Sequence, residues 1–189
     1  MSRRDRTREA LLTAALESFT EHGYDATTTA SIAARAGVTE MTLFRHFPTK
    51  ASLIVDDPYD PMIADAVQRR PAHEPPLRAT VRGIRDAWVR IPPAEAVALR
   101  ERLRIIAVTP ALRSALGSGS AATEAAIADT LQARGSARAE ARVVAAAVIA
   151  GLSAALLDWS LSDDPNPATA LEIAFHALDG PARPRGSVR

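Results

Sequence analysis

The 189 residues carry 23 Lys+Arg against 22 Asp+Glu, a formal charge of +1, so any nucleic-acid contact must come from local placement of charge rather than bulk attraction. Apolar residues make up 47% and aromatic residues only 4%, a balance that suits closely packed helices and points to an all-α fold. The absence of cysteine excludes a disulfide framework and a thiolate metal site, and no apolar segment follows the basic start as a secretory signal would require, so a cytoplasmic location is expected.

In chain order, Arg3, Arg4, Arg6 and Arg8 stand against Asp5 and Glu9 as a basic N-terminal arm able to touch phosphates. A first helix is expected from Asp5 or Thr7, with Leu11, Leu12, Ala15, Leu16 and Phe19 on one face, and Gly23 stops it. Thr28 then caps a short helix whose Ile32, Ala33 and Ala36 face inward and whose exit is Gly37. Thr39 caps a third, with Leu43 and Phe47 on its buried side, before Pro48 ends it and Lys50 opens a fourth. Two short helices joined by a glycine turn have helix-turn-helix spacing.

Beyond residue 50, prolines divide the chain, and helices are expected near 50–57, 62–70, 76–91, 94–108, 121–134, 138–161 and 167–178. Residues 114–120 read as a loop and 181–189 as a flexible tail. The organisation expected is a DNA-binding domain over 1–50 and a helical ligand-binding and dimerisation domain over 51–180. The longest uncharged apolar run, residues 143–157, is shorter than the roughly 20 residues that span a bilayer, so no membrane partner is expected.

Helix-turn-helix geometry lays the second short helix in the major groove. Thr39, Glu40, Met41, Thr42, Arg45 and His46 are then the exposed candidates. Thr42 offers a hydroxyl or a methyl, Arg45 a bidentate donor to guanine or a phosphate contact, and Met41 an apolar contact. Glu40 sits awkwardly beside phosphates unless it accepts from a cytosine amino group or balances an arginine, and its role stays open between these. Lys50 at a helix start is best understood with a phosphate in front of it.

Gly23-Tyr24, Thr28-Thr29, Ile32-Ala33, Ala36-Gly37-Val38, Thr42-Leu43-Phe44-Arg45-His46-Phe47, and Lys50 with Leu53 resemble the DNA-binding domain of the TetR family of transcriptional regulators. The resemblance implies an N-terminal three-helix helix-turn-helix domain followed by a larger helical ligand-binding and dimerisation domain. It implies that Thr39 to His46 form the recognition helix, that Thr28 or Thr29 and Lys50 meet phosphates, and that His46 lies at the DNA surface. Many relatives have tyrosine where this chain has Phe44, so a phosphate-binding hydroxyl is missing although the ring can still pack on the backbone.

Residues 143–157 are apolar nearly all round, which suits a helix covered by its own core on one side and by another surface on the other. Ala147, Gly151 and Ala155 form a small-residue row, matched on the last helix by Leu171, Ala174, Phe175 and Leu178; together they are the expected homodimer interface. Trp88, Leu99, Leu103, Ile106 and Trp159, with Arg85 and Arg104, are candidates for the pocket that TetR relatives hold between their central helices. The resemblance implies a repressor released from a palindromic double-stranded operator by a small-molecule effector, with the helix at Lys50 as the lever between domains.

An enzyme is disfavoured, because the chain has no Gly-x-Ser-x-Gly elbow, no Gly-x-x-x-x-Gly-Lys loop and no His-Glu-x-x-His site. His22, His46, His73 and His176 are scattered, and neither a metal nor a cofactor is expected. The competing class is a helical ligand-binding or protein-interaction module that has lost DNA binding, a reading that Phe44 and Glu40 keep open.

Overall fold

Prolines and capping side chains set the helix boundaries in the computed structural model of the chain, which describes residues 2–56, 60–89 and 93–179. Among these residues there are eleven helices and no strand: α1 (Arg3–His22), α2 (Thr29–Arg35), α3 (Glu40–His46), α4 (Ser52–Val55), α5 (Asp60–Gln68), α6 (Pro76–Trp88), α7 (Pro93–Val108), α8 (Pro110–Gly119), α9 (Ala121–Ala133), α10 (Arg138–Leu161) and α11 (Pro167–Asp179). Four of them, α6, α7, α8 and α11, begin at a proline, whose fixed φ and missing N–H suit the first helical position.

Three local expectations change. α1 starts at Arg3 because Ser2 and Asp5 form a capping box, each side chain bonding the other's backbone N–H at 2.9 and 3.1 Å; the arginines stand on a helix and not on a loose arm. Residues 114–120 are not a loop: most of the stretch continues α8, because Leu112 is fully buried and anchors the helix against the cost of Gly117. The helix expected over 50–57 is only α4, four residues long. The tail beyond Asp179 lies outside the described residues.

The described residues form two compact units, residues 2–56 with 94–120, and residues 60–89 with 121–179. This differs from a contiguous division at residue 50. In the first unit, α1 packs on α2 and α4, α2 on α3, and α4 on α8, around Leu11, Phe19, Ile32, Leu43 and Phe47. Arg102 of α7 donates to the Ile54 and Asp56 carbonyls, both at 2.6 Å, satisfying acceptors that the short α4 leaves without a helical partner.

In the second unit α10 packs on α9, α11 and α6, and α5 packs on α9 and α6. Its core includes Val67, Val81, Ile84, Ile127, Leu131, Val148, Leu152, Leu171 and Phe175. A Cβ on Gly83 would lie 2.9 Å from the Val67 backbone, so the α5–α6 contact requires glycine there. α10 meets the length and composition of a membrane-crossing helix, with mean hydropathy 1.8 over its most apolar stretch, although 143–157 alone read as too short; a third of that stretch is buried in the unit, and core helices of soluble proteins share these properties.

The two faces of α10 separate the expected dimer residues by exposure. Residues four apart advance about 40° around an α-helix beyond one full turn, so the row Ala147, Gly151, Ala155 winds from the exposed face toward the core. Ala147 is exposed, Gly151 sits against Leu178 of its own chain with 3.3 Å left for a Cβ, and Ala155 packs on the core. Leu171, Ala174 and Phe175 are 5% exposed or less, consumed within the unit. The apolar face left outward is instead Val143, Ala147, Ala150, Ala154 and Leu161 on α10, with Ile173 and Ala177 on α11; Val143, Leu161 and Ile173 are 68%, 57% and 65% exposed.

The turn between α5 and α6 is held by charge. Glu74, its side chain only 7% exposed, accepts two bonds from Arg70 and one from Arg82 at 2.7 to 2.9 Å, and Arg70 also reaches Asp86. The Arg70 hydrogen bonds, with Arg82 behind them, pull the Glu74 carboxyl down from 4.5 to about 2. Because the folded value lies below the unfolded one, this stabilisation is complete above pH 4.5 and is lost as the pH falls toward 2. Glu74→Gln is expected to cost on the order of 2 kcal/mol at neutral pH. The variant should also lose much less stability than the parent between neutral and acid pH in urea titrations; an unchanged acid dependence would remove Glu74 as its source.

Candidate nucleic-acid interface

The recognition segment begins with how α2 ends. Val38 N–H donates to Ala33 O at 2.9 Å and Gly37 N–H to Ala34 O at 3.1 Å, the paired bonds of a Schellman turn, and Gly37 has φ +70°, a conformation side chains resist. Each short helix then opens on a threonine: Thr28 Oγ1 accepts from Ser31 N–H at 3.1 Å, and Thr39 Oγ1 from Thr42 N–H at 3.2 Å. Leu43 and Phe47 are fully buried, which fixes the rotation of α3 and turns its other side outward.

On that outward side Met41 is 84% and Phe44 46% exposed. Met41 is thus left almost without cover within the head, and Phe44 only about half covered. The Thr42 and Thr39 hydroxyls lie 3.0 Å apart and bond each other, so Thr42 presents its methyl more freely than its hydroxyl. Glu40 accepts from the Thr29 hydroxyl across the turn. That bond occupies the Thr29 proton, whereas Thr28, whose oxygen accepts from the backbone, keeps its proton for another acceptor.

A groove of about 870 Å³ runs between the start of α1 and α3, lined by Arg3, Arg4, Thr7, Val38, Thr39, Thr42, Arg45 and His46. The capping box therefore places α1 arginines beside the recognition helix, a juxtaposition the sequence suggested only as a nearby arm. His46 is held below its ordinary value by partial burial first, then by Arg4, Arg45 and Arg8. Arg8 itself lies over the Phe47 ring at 4.5 Å.

Lys50 is placed differently from the expectation. Its ammonium donates to the Tyr24 and Thr27 carbonyls at 2.9 and 3.0 Å and stands 4.2 Å from the Tyr24 ring centroid. Lys50 thus ties the turn after α3 to the loop before α2, with one of its three protons left over. Its local signal was misleading: the helix it was expected to open begins only at Ser52.

The expected ligand-pocket residues are divided between the two units. Arg85 bonds Glu172 through Nε and Nη2, both at 2.9 Å, and lies over Phe175 at the surface. Trp88 packs partly buried on the core of the second unit, and Trp159 is buried with Nε1 donating to Asp164 O at 2.9 Å. Leu103 and Ile106 are buried, Leu99 partly buried and Arg104 exposed, all in the first unit. A groove of about 590 Å³ between α9 and α10 is lined by other residues, including Glu124, Arg142 and Val143.

Residues 11–56 match the family profile described as bacterial regulatory proteins, tetR family, and residues 74–182 that of the MftR C-terminal domain. The chain belongs to the TetR family. This is a family of transcriptional regulators with a helix-turn-helix DNA-binding domain, and not of enzymes. The HTH-type transcriptional regulator TcmR of Streptomyces glaucescens is 36% identical over 88 residues, which are 46% of this chain and 39% of that protein. A TetR-family regulator of Streptomyces coelicolor A3 is similar in structure, with TM-score 0.56 and 24% identity over 94% of this chain and 95% of the other. FadR of Thermus thermophilus, a TetR-family transcriptional repressor in complex with lauroyl-CoA, gives TM-score 0.55 and 19% identity over 96% and 98% of the two chains. These structures share the TetR fold.

Within that fold the Lys50 clamp is expected to stabilise the head. Lys50→Met keeps the stem and removes two charge-assisted bonds, so it should lower the unfolding free energy by about 1–3 kcal/mol. Denaturant titration of both proteins at one pH checks this, and equal stabilities would show that the clamp is energetically idle.

Proposed function

We propose that the chain is a homodimeric repressor that reads a palindromic operator through α3 and is released from it by a small-molecule effector. The observation that carries this reading is the exposure of Met41 and Phe44 on a helix rotated outward by buried Leu43 and Phe47, beside a groove lined by Arg3, Arg4 and Arg45. Such a surface has apolar groups for base edges and the sugar backbone, and cations for phosphates.

In this reading Met41 and the Thr42 methyl meet thymine methyls, Arg45 meets guanine or a phosphate, and Phe44 packs on the sugar-phosphate backbone. Thr28, Thr39, His46 and the third proton of Lys50 meet phosphates. The outward apolar face of α10 and α11 takes a second copy, since its positions 143, 147, 150, 154 and 161 alternate between three- and four-residue steps, with one seven-residue step, and so keep to one side of a helix. A twofold dimer presents two heads one DNA turn apart. An effector that binds better when the heads are wrongly spaced weakens DNA binding by the same coupling free energy. A soluble, cytoplasmic location accompanies this role.

Selection from a random duplex library at about 0.15 M salt, where non-specific attraction is weakened, is expected to enrich a palindrome. No enrichment by folded protein would favour the protein-interaction reading. Ala150→Glu places a charge in the proposed seam and is expected to turn the dimer into a monomer by light scattering while leaving helix content intact, with loss of palindrome binding; a dimer that persists would move the interface elsewhere.

A further inference from the structure

Glu40 is the residue for which a DNA surface has least obvious use, since a carboxylate in the groove is repelled by phosphates. Neutralisation by an arginine does not account for it. Arg35 is committed to Glu21 and Glu17 of α1, and Arg45 lines the groove on the far side of α3 with His46 and Thr42. Glu40 instead accepts from the Thr29 hydroxyl, a neutral donor that orients the carboxylate without cancelling its charge.

Resting on the DNA-reading function, we infer that Thr29 and Glu40 form a base-selecting pair specific for cytosine. One carboxylate oxygen is held by Thr29, and the other is left as an acceptor with no donor of its own. Of the four bases in the major groove, guanine and thymine present acceptors and repel it. Adenine offers its amino group next to the N7 acceptor, so a group without a donor meets attraction and repulsion together. Cytosine offers the N4 amino donor without an adjacent N7. Glu40 acts mainly by exclusion: it costs affinity on every duplex and least where cytosine stands opposite. Thr29 is the positioning residue, because its hydroxyl keeps the carboxylate on the first turn of α3, the part of a recognition helix that meets base edges.

The test is duplex selection by wild type, Glu40→Gln and Thr29→Val under one salt condition, with folding followed by circular dichroism. Wild type should enrich a motif with one cytosine per half-site whose replacement costs about tenfold in affinity. Glu40→Gln supplies a donor beside an acceptor and should move that single position to adenine, leaving the others unchanged. Thr29→Val should keep the motif and reduce the cytosine preference several-fold. A motif unchanged in Glu40→Gln would overturn the inference while leaving the DNA-reading function intact. No motif from wild type would remove both. A preference altered by Glu40→Gln and untouched by Thr29→Val would overturn the positioning role. If Glu40→Gln does not fold, wild type is measured on duplexes whose selected cytosine lacks the 4-amino group: a loss of about tenfold supports the pair, and an unchanged affinity overturns it.

Discussion

A helix of seven residues is too short to persist in water, where isolated helices below roughly 12–15 residues are marginal. The recognition helix therefore depends on Leu43 and Phe47, both fully buried, each stabilising it by roughly 1.5–3 kcal/mol. The rest of the head follows from that constraint. The long α1 supplies the wall of Leu11, Ala15 and Phe19, α2 supplies Ile32 and Ala33, and the Gly37 turn sets the spacing at which α3 meets them. Burial of one side leaves the other side for a partner, and the exposed Met41 and Phe44 are its consequence.

Charge in this molecule works by placement. A chain with formal charge +1 has no long-range field to draw it to DNA, yet Arg3, Arg4 and Arg45 share one groove because a capping box winds the first residues into α1. Other arginines are spent on contacts within the fold: Arg35 joins α2 to α1, Arg70 and Arg82 hold Glu74, and Arg102 holds the carbonyls at the end of α4. The last of these brings α7 and α8 into the same compact unit as the reading helices. A regulator built this way carries part of its later sequence within its reading head, so a change in α7 is felt directly at α4.

The second unit shows the same economy on a larger scale. α10 is apolar on two opposite faces, one consumed by α6, α9 and α11 and one left outward. Oligomerisation through that outward face would cover apolar surface that the monomer leaves in water.

Much was legible in the sequence because it is local. Thr28, Gly37, Thr39 and the prolines at 76, 93 and 167 act on their own neighbours, so they fix helix ends whatever packs on them, whereas the helix after Pro110 was not legible. Leu43 and Phe47 declared the buried side of α3 by spacing alone. The tertiary structure decided what depends on distant partners. Lys50 finds its carbonyls some two dozen residues back, Arg85 finds Glu172, and α10 spends its Ala155 side inside the unit and keeps its Val143 side outside. Propensity and spacing name the groups that can bond, and only the packed chain determines which of them remain free to meet something else.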